Sequence, residues 1–500
     1  MTEPADSLPS KEQIHPTTTV PGPSDSPLDP LNWSRTRKEL LFATIVLGSC
    51  ATGSLGPLLV PGFAVMAAEL NIDLTSVTLL NGSLVMALGV SAYLCSCFAM
   101  CYGKRVVYLF TTVLLVASCC WAAASKSYES LIAARVFQGL GMGGFFALAG
   151  TASINDVFFI FERGLRVGLW NFAVIVSVNI TPVVSGYVIS DLSWRWSFWL
   201  EAILFGVVLA AVILCFPETT FDRTAAAQLT ENPKGGSIDT AIGLQDVSMP
   251  IRSIFTVLGY DPRSLPPRNI LLACLEPLTI LLHPIIAWGC IMWAVTFTWT
   301  ILLGAVASQI FTAPPFNMST VALGNLTGIA PFIGSALGTV MGGWLCDLSS
   351  KTLASRNAGV YEPEFRLPVM LPAIAAMAAG AFGLAAAVSH GLSAIVCGVF
   401  MAILNYAVGI GCTVIVAYTN DVCGERAGDA FGLAMIAKSA FAFGLSFVFN
   451  EFLTEYGAMV FFCTFGAVSV GVMLSTLPLY IFGEGIRAWC DKHNLLRRSE

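Results

Sequence analysis

The stretch Leu131–Phe146, LIAARVFQGLGMGGFF, sets the terms for the whole chain. It is apolar for most of its length, yet it carries Arg135 and Gln138. Leu131, Arg135, Gln138 and Gly139 recur at helical spacing and share one face. An arginine at depth in a bilayer is costly and faces a polar partner or a watery cavity. Near a helix end it can instead snorkel to the head groups. Both readings stay open at this point, because Arg135 follows closely on the polar Ser125–Ser130 turn. Gly139 and Gly143 form a GxxxG pair, which lets a second helix approach closely.

Composition widens the reading from one helix to the chain. Of 500 residues, 56% are hydrophobic and only 11% charged, against roughly a quarter charged in soluble domains. An all-α integral membrane protein follows. Net charge is −6 and no basic tract is present, which argues against a nucleic-acid partner. The fifteen cysteines are scattered, mostly inside apolar runs, and read as small packing residues. Cys95, Cys97 and Cys101 cluster without His or carboxylate support, so neither a metal site nor a cofactor is expected. GLGMGG lacks the Lys-Ser/Thr that completes a phosphate loop. The chain starts polar and Pro-rich, with no signal peptide.

Residues 1–38 read as a disordered tail, rich in Ser, Thr, Pro and Asp. Apolar spans of about 20 residues follow. They fall at 40–63, 79–101, 106–124, 130–152, 166–189 and 195–216, then at 278–304, 321–344, 367–389, 393–418, 430–452 and 457–482. The polar linker 217–277 separates two six-span sets, 39–216 and 278–482, and a short tail, 483–500, closes the chain. Basic residues crowd the segments on one side, including Arg35, Arg37, Lys38, Lys104, Arg105, Arg163, Arg166 and Arg366. The other side keeps only Lys126 and Arg195. That asymmetry puts both termini in the cytoplasm.

The halves echo each other. Laying Ser96 on Gly343 sets Ala87, Ser91 and Cys95 on Gly334, Gly338 and Gly342. Both are stripes of small residues at every fourth position, suited to close helix contact. Weak internal symmetry of this kind marks transporters built from parallel six-span halves. Here the chain resembles the major facilitator superfamily, and within it the fungal twelve-span drug:proton antiporters. The resemblance runs from Asp29 to Arg487. It is carried by DPLNW, LIAARVFQGLG, SWRWSFW, FPETTFDR and SRNAGVYEPEFRLP. It implies twelve transmembrane helices in two pseudo-symmetric six-helix bundles around one central site.

The resemblance also implies roles for residues. The family's R-x-x-Q-G motif maps onto Arg135, Gln138 and Gly139, which implies proton sensing or relay through a nearby carboxylate. The gate motif keeps Lys104 and Arg105 in its first copy, but Ser96 and Met100 stand where Gly and Asp are usual. The second copy keeps Gly343, Asp347 and Lys351, so Asp347 becomes the better latch. The antiporter motif of the fifth span is degenerate, with Pro182 and Gly186 kept as packing positions.

Other residues are singled out by their chemistry. Glu201, a turn or two into the sixth span, is either the titrating carboxylate or a partner of Arg195. Lys438, about 13 Å along its helix from Asp429, is either a cavity charge or a snorkelling lysine. Trp293 is the tryptophan placed for stacking or cation–π contact with a substrate, with Asn405 and Tyr406 as polar groups at depth. Asn155 and Asp156 read as a helix-end charge pair with Arg163 or Arg166. Asn317 heads a sequon in an outer loop.

These features point to a proton-coupled transporter of small organic molecules in the lipid bilayer. Export of a toxicant, drug or fungal secondary metabolite comes first. Import of organic cations such as polyamines, or a non-transporting sensor, are the alternatives. The expected partners are a small organic substrate and protons, acting on a monomer. The plasma membrane is preferred over the vacuole. No paired catalytic motif suggests an enzyme.

Overall fold

The computed structural model describes residues 29–220 and 270–493. Most of the expected 1–38 tail and 217–277 linker, and the last part of the 483–500 tail, lie outside these residues. What is described at their edges is ordered. Asp29 caps a short 3-10 turn, Pro30–Asn32, by accepting from Leu31 N at 3.0 Å. The first helix already begins at Arg35.

Among the described residues, twelve helices of 20 residues or more carry the fold. The first six are α1 Arg35–Ser54, α2 Leu74–Tyr102, α3 Lys104–Ala124, α4 Tyr128–Leu148, α5 Ile160–Asp191 and α6 Trp194–Cys215. The second six are α7 Pro284–Phe311, α8 Thr320–Arg356, α9 Met370–Ser389, α10 Ala394–Cys423, α11 Ala427–Ser446 and α12 Phe449–Leu474. A shorter amphipathic helix, α13 Thr476–Lys492, follows. Eleven helical stretches among the described residues are long and apolar enough to cross a membrane. The exception is α1. It opens RTRKE, which shortens its uncharged part.

Several boundaries depart from the expected spans, each for a local reason. The span expected at 40–63 ends at Ser54, because Pro57 and Pro61 follow; a 3-10 turn and the short helix Phe63–Leu70 fill the rest. The span expected at 130–152 gives way after Leu148 to a π turn, Ala149–Ser153. The span expected at 457–482 starts at the break that Gly457, at φ 78°, puts inside α12, and it ends early, at the turn at Ser475. Helix α8 runs past 344 to Arg356. At 37 residues it spans about 55 Å, well beyond a hydrocarbon core of ~30 Å.

Packing repeats between the halves. In the first, α2 packs on α4, α3 on α4 and α6, and α1 on α5 and α6. In the second, α8 packs on α10, α9 on α10 and α12, and α7 on α11 and α12. Adding six to each label converts one pattern into the other. The seams between halves, α2 with α11 and α5 with α8, exchange under the same operation. The small-residue stripes make these contacts possible. A Cβ on Gly139 would meet Ala87 Cβ at 2.6 Å, and Gly143 seats on Ser91. Gly334, Gly338 and Gly342 seat on Ala402, Tyr406 and Ile410 of α10. Gly186 lies with its Cβ position 3.2 Å from Thr320 O, so the fifth-span motif packs α5 on α8. The carbonyl of Pro182 lies against Gly324 in the same seam.

Candidate functional site

Arg135 is fully buried, so the snorkelling reading is set aside. Its guanidinium donates to four acceptors from three directions. Nη1 reaches Leu55 O at 3.1 Å and Gln138 Oε1 at 3.0 Å. Nε reaches Leu80 O at 3.3 Å, and Nη2 reaches Asn81 Oδ1 at 3.0 Å. All are neutral oxygens. The fork shape of the side chain suits this, because its donors point apart in one plane. Gln138 passes the network to α3 through Ser118 O at 3.4 Å. Nothing in the sequence singles out Asn81, a neutral residue inside an apolar run, as a site residue.

Glu201 is 7% exposed and lies beside this network. Its Oε1 accepts from Ser54 Oγ at 2.6 Å, and Ser54 adjoins Leu55, an acceptor of Arg135. One turn before it, the Phe198 ring centroid lies 5.8 Å from the Arg135 guanidinium carbon. Glu201 Oε2 is buried without a hydrogen-bond partner. The expected alternative, a Glu201–Arg195 pair, is not formed. Arg195 instead donates to Glu69 at 2.5 Å, and Trp194 Nε1 donates to the same carboxylate at 2.7 Å. These bonds, the Arg195 one foremost, hold the Glu69 carboxyl below the usual carboxylate range.

The second cluster lies in the other half. Lys438 is 7% exposed on α11, with Nζ 3.9 Å from the Phe297 ring centroid and 4.9 Å from that of Trp293. No ion pair or hydrogen bond of its ammonium is formed among the described residues, so aromatic faces are its main company. Trp293 Nε1 has only the Cys412 thiol, a weak acceptor, to turn to. Trp288 and Trp299 differ, since each donates to a serine, Ser475 and Ser469, at 2.8 Å. Phe297 and Cys412 were not legible as site residues, because nothing distinguishes them from core positions in an apolar run. Asn405 is buried, but its Nδ2 is spent on Met401 O at 2.9 Å within its own helix. The Tyr406 hydroxyl faces Met341 Sδ at 3.5 Å, toward α8.

The gate residues find partners from distant segments. Lys104 pairs with Asp156, while Glu218 accepts from the backbone N–H groups of Lys104 and Arg105 at 3.1 and 3.0 Å. Gly103, at φ 86°, makes the turn, and a Cβ there would lie 2.7 Å from Glu218 Oε2. Arg105 Nη2 donates to Ile213 O at 3.2 Å. Arg166, one expected partner of Asp156, instead engages Glu39, with Nη1 2.7 Å from Oε2. In the second half Asp347 is only loosely held, 3.8 Å from Arg366, and its side chain is 69% exposed. Arg366 bonds more closely to Asp421 at 2.6 Å. Lys351 is exposed. Glu364 takes Arg487 in a two-pronged pair at 2.8 and 2.7 Å, which docks α13. Asn317 sits exposed in the α7–α8 loop in left-handed backbone, φ 48°.

A family model described as Major Facilitator Superfamily matches residues 40–446. A Schizosaccharomyces pombe protein named as an uncharacterized MFS-type transporter is 24% identical, over 94% of this chain and 88% of its own. An Aspergillus flavus protein named "Probable efflux pump mfs2" is 25% identical, over 86% of this chain and 98% of its own. Among solved structures, a D-xylose-proton symporter superposes with a TM-score of 0.64 at 16% identity, covering 88% of this chain and 97% of that one. That likeness concerns the fold alone. With the family model spanning most of the chain, and with two six-helix halves packed by one repeated pattern, this protein belongs to the Major Facilitator Superfamily of membrane transporters.

Proposed function

We propose that this chain is a proton-coupled secondary transporter that exports a small organic compound by alternating access. The compound would be a toxicant, a drug or a fungal secondary metabolite. The observation that carries the reading is Glu201. It is a buried carboxylate with one oxygen unpartnered, one residue removed from the Arg135 network through Ser54 and Leu55. A carboxylate with a free oxygen at that depth can take up and release a proton, the condition for a carrier of protons. Arg135 and Gln138 then hold α1, α2 and α4 around that acid. Lys438 and Trp293, with Phe297 added, form the substrate wall of the opposite half, with Tyr406 and Asn405 on α10. The acid lies in one half and the cation with its aromatic wall in the other, so rocking of the halves would couple them. The name of the Aspergillus flavus relative supports the outward direction.

At one end Lys104–Asp156 and Arg366–Asp421 hold loops together and serve as the latches, joined by Arg105, Asp347 and Lys351. We assign that end to the cytoplasm on the strength of the basic residues there. The chain is then a plasma-membrane monomer with both termini inside.

The deciding experiment is flux in proteoliposomes under an imposed pH gradient, using fluorescent dyes and candidate metabolites. Gradient-driven flux that collapses with a protonophore and with Glu201→Gln supports the reading. Undiminished gradient-driven flux in Glu201→Gln would remove Glu201 from the coupling.

A further inference from the structure

A cavity of about 500 Å³ lies between α1, α5 and α6, within the size range of small-molecule sites. Every residue lining it falls between Cys50 and Glu201, so it belongs to one half and is distinct from the Lys438 wall. Its rim residues Phe172, Ile180, Val184 and Leu200 are 37–54% exposed. Apolar side chains exposed on membrane-crossing helices face acyl chains, so the mouth opens to lipid. The surface of the walls is mostly apolar. Polar groups on α5 are already spent within that helix: Ser177 on Val174 O at 2.9 Å and Thr181 on Ser177 O at 2.6 Å. Two polar atoms in the cavity wall are buried and unpartnered, Glu201 Oε2 and Ser197 Oγ. Their residues are 7% and 2% exposed.

An apolar cleft with an unpartnered carboxylate has a definite complement: a long apolar chain ending in a positive group with several N–H donors. We propose that the cleft binds a single-chain primary alkylamine drawn from the bilayer. Its ammonium donates to Glu201 Oε2 and Ser197 Oγ, and its tail lies along Ile180 and Val184. Depth excludes a phospholipid amine as the source. Glu201 lies about 10 Å along α6 from Trp194, below the level at which a phospholipid head group rides. The site shares Glu201 with the proposed coupling but does not rest on it, because its test reads binding alone.

The test is titration of the purified full chain, in phosphatidylcholine nanodiscs, with radiolabelled dodecylamine. The expected result is saturable binding of one amine per chain that dodecanol does not displace. Glu201→Gln and Val184→Trp should each weaken binding about tenfold or more, the scale of a lost charge-assisted contact. Val184→Trp fills the lipid-facing mouth and leaves the acid untouched, so it guards against a folding defect in Glu201→Gln. Ile395→Leu, at an exposed position on α10 in the other half, should bind as the parent does. Non-saturable binding, displacement by dodecanol, parent-like binding by Val184→Trp, or an equal loss in Ile395→Leu would each overturn the proposal. Proton-independent flux alongside intact amine binding would sink the coupling reading and leave this one standing.

Discussion

Arg135 and Lys438 are both buried cations, but they are held in different ways. Arg135 satisfies four neutral acceptors with a planar fork. A lysine presents three donors from one point and cannot reach them all. Arg135→Lys is therefore expected to lower the unfolding temperature in detergent, with about 1–3 kcal/mol lost for each acceptor left dry, and to depress flux once the same protein is reconstituted in proteoliposomes. Lys438 has rings beside it and, among the described residues, no acid paired with it. Lys438→Met keeps the length and removes a desolvated charge, so thermal stability should hold or rise. Transport should fall about tenfold, the scale of one charge-assisted contact with substrate. A matched fall in stability would show that the ammonium serves the fold and not the substrate. Their place in apolar runs left burial and snorkelling both open, and the structure buries both. Their partners were not legible, since Leu55 O and Leu80 O are backbone atoms that no side-chain pattern announces.

Helices meet where glycine removes the Cβ, and the contrast along α8 makes this testable. Gly338 faces the Tyr406 backbone, while Gly343 has nothing within 4 Å of its Cβ position. Gly338→Val should cost about 1–3 kcal/mol through overpacking. Gly343→Ala should be neutral, or stabilising by up to ~1 kcal/mol from helix propensity. Unfolding curves of the two variants in one detergent decide the matter, and equal effects would deny the stripe its packing role. The stripe itself was legible, because Ala87, Ser91 and Cys95 align with Gly334, Gly338 and Gly342 at a fixed spacing. The ends of α1 and α12 were not. A hydropathy average runs straight through Pro57, Pro61 and the turn at Ser475, where backbone geometry stops the helix.

Across the whole molecule, side-chain bonds stitch the halves at the end that carries Arg195. Asn450 Nδ2 donates to Thr78 Oγ1 at 2.7 Å, and Ala64 N donates to Ser308 Oγ at 3.2 Å. If the halves separate there during transport, oxidising a Thr78→Cys, Asn450→Cys pair should halt flux, and reductant should restore it. Each single variant, oxidised alike, controls for the native cysteines; flux that survives the cross-link would show that this end need not open. The two-half plan was legible from the echo between second and eighth spans. The acids that answer the gate lysine and arginines were not, since Asp156, Glu218 and Asp421 come from segments far along the chain. The uncompensated Lys438 ammonium carries one last implication. A positive charge near the bilayer centre that changes its access from one side to the other moves through part of the transmembrane field, where a full crossing is worth about 2.3 kcal/mol per 100 mV. If the proposed substrate carries a carboxylate, that charge is bare with the site empty and cancelled with the substrate bound. The return of the unloaded carrier would then be the voltage-sensitive step, and membrane potential, as well as chemical gradient, would set the pace of the proposed cycle.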